Sequence, residues 1–300
     1  MTNVLMGKIV QLQELSRPLE PDEEQRRVLL QAVSSYAHSF IENINNLPVF
    51  AAAEEESKKL PASPISETPI GIDDALQLFD RCVVHPGVKP GSPGYLAYIP
   101  GGGLYASALG DFLAAITNKY AGVYFVAPGA ARMGKMLLRW IAGFIGYPET
   151  AAGDITSGGS IAMLSAIVAA REAFALKAAE IPQAVIYLTE QTHHSATKAI
   201  LIAGLQECNK RFISLDDRYR MQTGQLKASI LQDKKQGLKP FLIIATAGTT
   251  DTGAVDPLPA IADIAEEHGL WLHTDGAYGG AFALCEEGRK ALPGLHRCDS

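Results

Sequence analysis

Four short apolar runs follow one another in the second half of the chain: "AVIYLTE" (184–190), "RFISLD" (211–216), "FLIIATAG" (241–248) and "LWLHTD" (270–275). None alternates polar with apolar residues, so each reads as a strand buried on both faces. The stretches after the first three, at 195–205, 224–235 and 257–268, read as helices. Strand–helix alternation of this kind predicts an α/β fold: a mostly parallel sheet flanked by helices. The chain has 300 residues and 47% of them are apolar, enough for one large α/β domain with a helical appendage.

The appendage lies upstream. Residues 22–47 read as an amphipathic helix, with Asp22, Glu23 and Glu24 after Pro21 and apolar positions at Val28, Val33, Tyr36, Phe40 and Ile44. A polar stretch, "AEEESKKLPASPISETP", reads as a linker, and a short helix is expected from about Ile72 to Val83. "HPGVKPGSPGYLAYIPGGGLY" is dense in Gly and Pro and reads as irregular. Helical runs at Ser107–Lys119 and Gly129–Ile145 lead into the strand–helix region. This divides the chain into an N-terminal helical segment, 1–95, and a main domain, 96–300.

The formal charge of −6 and the lack of a basic run exclude a nucleic-acid surface. The four cysteines form no C-x-x-C pair and read as reduced thiols of a cytoplasmic protein. The first twenty residues carry no continuous apolar core, so no signal peptide is expected, and no apolar run is long enough to span a bilayer.

In an open parallel sheet, ligands sit beyond the carboxyl ends of the strands. Four candidates fall there or at a turn that opens a helix. "TSGGS", 156–160, precedes the helix "IAMLSAIVAARE". Its small residues and the helix N-terminus suit a phosphate held by Gly159 and Ser160, but a plain Gly-rich turn with a Ser cap reads equally well. It is neither a P-loop nor a dinucleotide fingerprint. His193, in "TEQTHHS", offers a flat imidazole for stacking or proton transfer. A structural hydrogen bond is its ordinary use, and His194 beside it is a rival. Thr246 offers a hydroxyl at the end of "FLIIAT", where a β-branched strand residue needs no function. Asp275 ends a hydrophobic strand and needs a cationic or hydrogen-bonding partner. A protonated ring nitrogen would serve. So would a metal shared with His273, but the spacing supplies no third ligand, so no metal is expected. The small residues of "GAYGG" after Asp275 read as room for a flat ligand. A phosphate cradle, a stacking group, a hydroxyl and a carboxylate together describe pyridoxal 5'-phosphate.

These stretches carry a resemblance. "TSGGSIAMLSAIVAARE", "TEQTHHSATKA", "ATAGTTDTGAVDPLPAIADIAEEHGLWLHTDGAYGG" and "HPGVKPGSPGYLAYIP" resemble the pyridoxal-phosphate-dependent amino-acid decarboxylases of the aromatic-L-amino-acid and glutamate decarboxylase group. The similarity runs from about Ile72 to the last residue. It implies the fold-type-I, aspartate-aminotransferase-like large domain and conversion of an L-amino acid to an amine and carbon dioxide. It implies that Gly159 and Ser160 hold the phosphate, that His193 stacks on the ring near the scissile carboxylate, and that Thr246 supports the cofactor. Asp275 would pair with the ring nitrogen and Ala277 would pack near it. Tyr98, Pro100 and Gly101 match the loop that lines the substrate pocket. It also implies a homodimer with the site at the interface, the N-terminal helices of each subunit embracing the other.

Some positions depart from the family pattern. Ile161 stands where many relatives carry Glu, Gly101 where aromatic-amino-acid decarboxylases often carry Thr, and Gly276 in place of Ala. Arg132 and Gly134 stand where acidic residues are usual. The family's cofactor-binding Lys lies in an Asp-Pro-His-Lys-type motif beyond the "HTDGAYGG" strand, and the sequence ends at "LHRCDS" before such a motif. Lys290, the one lysine after Asp275, reads as a solvated helix end. The expectation is therefore a truncated decarboxylase without its C-terminal small domain. The alternatives are another lyase reaction on the same fold, or a non-catalytic fragment.

Overall fold

The structure is a computed structural model that describes residues 2–52, 60, 68–99 and 101–300. It forms two compact units, Met1–Gly110 and Asp111–Ser300. The division falls beyond the 95/96 boundary expected from sequence. Within the first unit the Tyr105 ring lies 6.0 Å from that of His38.

In the first unit, α1 (Thr2–Ser16) is a helix the sequence reading did not anticipate. α2 (Glu23–Asn43) starts where expected. The Asp22 carboxylate accepts from the Gln25 N–H while the Gln25 side chain accepts from the Asp22 N–H, closing a capping box. The helix gives way to a 3₁₀ turn at Ile44–Asn46, short of the expected end at 47. β1 (Phe50–Ala51) pairs antiparallel with β2 (Gly87–Val88). The Gly- and Pro-rich stretch is therefore not irregular throughout. Between them α3 (Ile72–Phe79) runs on into a π-helical turn, Asp80–Val84. The polar linker lies almost wholly outside the described residues. α4 (Tyr105–Thr117) carries the chain into the second unit.

That unit continues with α5 (Pro128–Ile145), α6 (Gly159–Ala173), β3 (Ala184–Leu188), α7 (Ser195–Ile202), β4 (Asn209–Phe212), α8 (Thr223–Lys235), β5 (Lys239–Thr246), α9 (Leu258–His268), β6 (Trp271–Asp275) and α10 (Glu286–Ala291). The strands form one parallel sheet in the order β4-β3-β5-β6. The chain runs outward from β3 to β4, then crosses to the other side of β3 for β5 and β6. The reversal puts a topological switch point at the carboxyl ends of β3 and β5, where an open sheet has its natural crevice.

β3 and most of β5 and β6 are buried on both faces, as their unalternating sequences predict, whereas the edge strand β4 is only half-buried and leaves Phe212 exposed. Every residue of β3 is buried. Val185 and Tyr187 face Leu226 and Ile230 of α8 and Leu258 and Ile261 of α9. Ala184, Ile186 and Leu188 face Met163 and Ile167 of α6 and Ala196 and Ile200 of α7. One polar cluster interrupts the first layer. The Tyr187 hydroxyl donates to Asp233 Oδ2 at 2.9 Å, and Arg211 donates to the same carboxylate from Nε and Nη2. Burial, followed by the Asp233 hydrogen bond, pushes the Tyr187 hydroxyl's pKa well above its ordinary value, so it remains a donor.

Asp233→Ala leaves the Tyr187 hydroxyl buried without its acceptor. We expect a loss of about 1–3 kcal/mol in stability, read from urea denaturation midpoints. An unchanged midpoint would show that the cluster does not support the fold.

Candidate active site

The carboxyl ends of β3, β5 and β6 and the N-terminus of α6 surround one cleft. Gly159 and Ser160 line it from α6, His193 from the turn after β3, Thr246 from the end of β5, and Asp275 and Ala277 from the end of β6. These six residues, separated by more than a hundred positions in sequence, are those the sequence reading singled out in this unit.

Each wall has a local cause. α6 starts at Gly159 because Gly158 adopts φ 158° and ψ 169°, a conformation essentially confined to glycine. The Thr156 hydroxyl donates to the Gly158 carbonyl at 3.0 Å and braces the turn. The first intrahelical bonds run to Gly158 O from Ile161 N and Ala162 N, so the N–H groups before them open toward the cleft side of the helix end. A Cβ at Gly159 would meet no atom within 4 Å, so the surface there is open. The helix dipole makes such an end favourable for an anion.

After β3 the chain turns through Thr189–Thr192. The Thr192 hydroxyl accepts from Thr189 N at 3.0 Å, and the Thr189 hydroxyl accepts from Gln191 N at 3.2 Å. This brings His193 to the cleft, with its Nδ1 2.8 Å from Ser195 Oγ. The His194 ring stacks beside it, centroids 4.0 Å apart.

Thr246 and Asp275 are direct neighbours in the parallel register of β5 and β6. Thr246 is held from behind by Asp256, whose Oδ2 accepts from Thr246 N at 2.8 Å and whose Oδ1 accepts from Met221 N at 2.7 Å. Burial raises the Asp256 pKa, and the two N–H donors oppose that shift. Asp275 Oδ1 accepts from Ala277 N at 3.0 Å, which leaves its other oxygen free of protein partners among the described residues.

Backbone packing accounts for one of the small residues after Asp275. A Cβ on Gly279 would lie 2.0 Å from the Ala247 carbonyl oxygen. Gly248, at φ 97°, faces the Tyr278 ring across the same contact. Gly279 thus lets the turn after β6 pack onto the loop after β5, while Ala277 of the same run lines the cleft. His273 does not face the cleft. Its Nδ1 is 3.0 Å from Ser300 Oγ, and Thr274 N donates to Ser300 O beside it.

Tyr98 and Gly101 belong to the first unit, where Tyr98 is exposed at φ 58°, and Pro100 lies outside the described residues. Arg132, unexplained by sequence, donates to the Tyr124 hydroxyl at 2.7 Å. Ile161 is exposed on α6. Lys290 pairs with Glu286 at 2.6 Å on an exposed face of α10. Sequence reasoning missed Gln191 and Ser195, which also line the cleft. The available signal was their position in the polar turn around His193.

A parallel α/β sheet with an anion-binding helix end, an imidazole and a carboxylate at its switch point defines a cofactor-binding enzyme class. Residues 58–300 match the pyridoxal-dependent decarboxylase conserved domain, and the chain belongs to that family. It is 33% identical to an aromatic-L-amino-acid decarboxylase of Bacillus atrophaeus over 93% of its own length and 58% of that protein's. It is 32% identical to a phenylacetaldehyde synthase of Petunia hybrida, covering 94% of this chain and 58% of the other. A crystal structure of Oryza sativa TDC with PLP and tryptamine superposes with a TM-score of 0.85 at 27% identity, over 93% of this chain and 60% of that one. The chain thus spans somewhat under two thirds of the length of these relatives.

The cleft itself fits pyridoxal phosphate. Thr246 Oγ1 and Gln191 Oε1 are buried and have no hydrogen-bond partner among the described residues, although both residues line it. Buried orphans of this kind are rare unless a bound group completes them.

His273 supplies a pH test of the packing beneath the site. Burial holds its pKa below the ordinary value, opposed by the nearby Asp275 charge and the Ser300 backbone. A His lowered in the folded state binds its proton better when unfolded, so its contribution is complete above about pH 6.5 and is lost as pH falls through the lowered folded value. Denaturation midpoints should therefore drop between about pH 7.5 and 5.5, and His273→Gln should flatten that drop. An equal drop in the variant would assign it to other groups.

Proposed function

We propose that this chain carries the cofactor site of a pyridoxal-phosphate-dependent enzyme that decarboxylates an L-amino acid to an amine and carbon dioxide. The observation that carries the reading is the convergence of the α6 N-terminus, His193, Thr246 and Asp275 on one cleft at the switch point of the sheet. When bound, pyridoxal phosphate supplies a cationic ring that takes up the electron pair left at Cα as carbon dioxide departs.

The residues have separable tasks in this reading. The N–H groups at Gly159 and Ser160 bind the phosphate, helped by the helix dipole. The Asp275 carboxylate holds a proton at the ring nitrogen, which keeps the ring cationic. Thr246 Oγ1 and Gln191 Oε1 find in the bound group the partners they lack. The His193 imidazole covers one ring face. Tyr98, Pro100 and Gly101 are the proposed substrate-lining residues, on the strength of the family resemblance. A second reading, oxidative aldehyde formation on the same site, is supported by the 32% identity to the Petunia phenylacetaldehyde synthase.

The test is titration of pyridoxal phosphate into the protein, followed by circular dichroism in the cofactor's absorption band, then a screen of amino acids for carbon dioxide release. Saturable binding is expected. Asp275→Ala is expected to weaken it at least about tenfold, a loss of 1.4 kcal/mol or more. Amine as product supports the decarboxylase, whereas aldehyde with ammonia, formed with consumption of dioxygen as the two-electron oxidant and release of hydrogen peroxide, supports the second reading. Unsaturable binding, unaltered by Asp275→Ala, overturns both.

We propose further that the N-terminal segment embraces a second copy of this chain, at a cytoplasmic location. α2 exposes Val28, Leu29, Leu30, Val33 and Ile41, an apolar surface of the kind that an interface covers. Sedimentation velocity is expected to give a dimer, and a monomer at all concentrations would refute the proposal.

A further inference from the structure

His193 makes two contacts with Ser195, and the second decides the chemistry of the first. Ser195 Oγ lies 2.8 Å from His193 Nδ1. Ser195 N donates to the same Nδ1 at 3.3 Å. A hydroxyl accepts or donates, but a backbone N–H only donates. Nδ1 must therefore present its lone pair, and the hydroxyl must donate to it as well. A proton on Nδ1 would point at the backbone N–H. Ser195 is 4% exposed, so water is not there to relieve such a conflict. In the neutral ring the one proton then sits on Nε2. That nitrogen has no partner among the described residues, and the ring lines the cleft.

We infer that Ser195 is a positioning residue that locks the neutral His193 imidazole as its Nε2–H tautomer, so that the ring brings a hydrogen-bond donor, not a base, to the cleft. The inference deepens the proposed function and rests on it for what the ring meets; the tautomer itself stands on the two contacts alone. The backbone makes the lock. The turn after β3 ends in Ala196 N donating to His193 O at 2.9 Å, which starts α7 and sets Ser195 N toward the imidazole. The His194 ring lies beside it, centroids 4.0 Å apart and tilted by 43°. An oriented imidazole whose second nitrogen is fixed by a serine has its protonation pattern set before any ligand arrives.

The test reads the tautomer directly in the protein without added cofactor. Two-bond proton–nitrogen correlation on ¹⁵N-histidine-labelled protein, at about pH 8 and so above the ordinary His range, distinguishes the two ring nitrogens. The expected result is an unprotonated Nδ1 and a protonated Nε2 at His193, with shifts of a single fixed tautomer. Ser195→Ala, which keeps the backbone N–H but loses the shorter hydroxyl contact, is expected to move these shifts part of the way toward the averaged mixture of a free imidazole, and Ser195→Thr, which keeps both donors, to restore them. A proton on Nδ1, or averaged shifts identical in the wild-type protein and Ser195→Ala, overturns the inference. Pyridoxal phosphate affinity is measured on the same samples. Loss of the hydroxyl's hydrogen bond is expected to weaken binding by about 2- to 10-fold, with recovery in Ser195→Thr. Failure of the wild-type protein to bind the cofactor would refute the functional reading and leave the tautomer result untouched. Should Ser195→Ala fail to fold, the wild-type spectrum and Ser195→Thr still decide between the two tautomers.

Discussion

The buried carboxylate of Asp256 accepts from Thr246 N on one oxygen and Met221 N on the other, and it is the point from which the cleft is built. Asp256 N returns a hydrogen bond to Thr246 O, so the end of β5 is clamped in both directions. Parallel pairing then carries the position of Thr246 across to Asp275 on β6. The turn after β6 is pressed onto Ala247 at a distance only glycine permits, which fixes Ala277 and Tyr278 beside the carboxylate. Burial opposes ionisation of Asp256 and its two N–H donors favour it, so its place in the fold depends on keeping both donors.

The same economy runs through the other walls. His193 is held by Ser195, and the turn that carries it is held by the hydroxyls of Thr189 and Thr192. These are short, local hydrogen bonds near the carboxyl edge of a sheet whose strands are anchored on both faces. Rigid strands beneath and capped turns above give fixed directions to side chains without a large hydrophobic cost at the cleft. Two buried atoms there, Thr246 Oγ1 and Gln191 Oε1, are left without partners among the described residues. Their placement in the cleft is why the site reads as made for a bound group.

Much of the fold was legible in the sequence. Buried parallel strands need apolar residues on both faces, and "AVIYL" and "FLIIA" have them. The capping pattern around Asp22 announced α2. Less legible was α1, whose residues carry no capping signal and little amphipathic pattern, and the β1–β2 pair, whose two-residue strands are too short for periodicity to reveal. Sequence also cannot show that the Ala247 carbonyl lies against Gly279. That contact joins segments about thirty residues apart.

The sequence by itself determined the class of the protein: apolar strands alternating with helices, and a Gly-Gly-Ser turn, an imidazole, a hydroxyl and a carboxylate each placed where a strand ends or a helix begins. Local chemistry suffices for that, since propensity, capping and hydrophobic period are properties of neighbouring residues. Tertiary structure decided which of those groups share a cleft, which of two adjacent histidines lines it, and which of its nitrogens faces a donor. Those outcomes depend on strand order, register and single hydrogen bonds between segments, and no neighbouring residue encodes them.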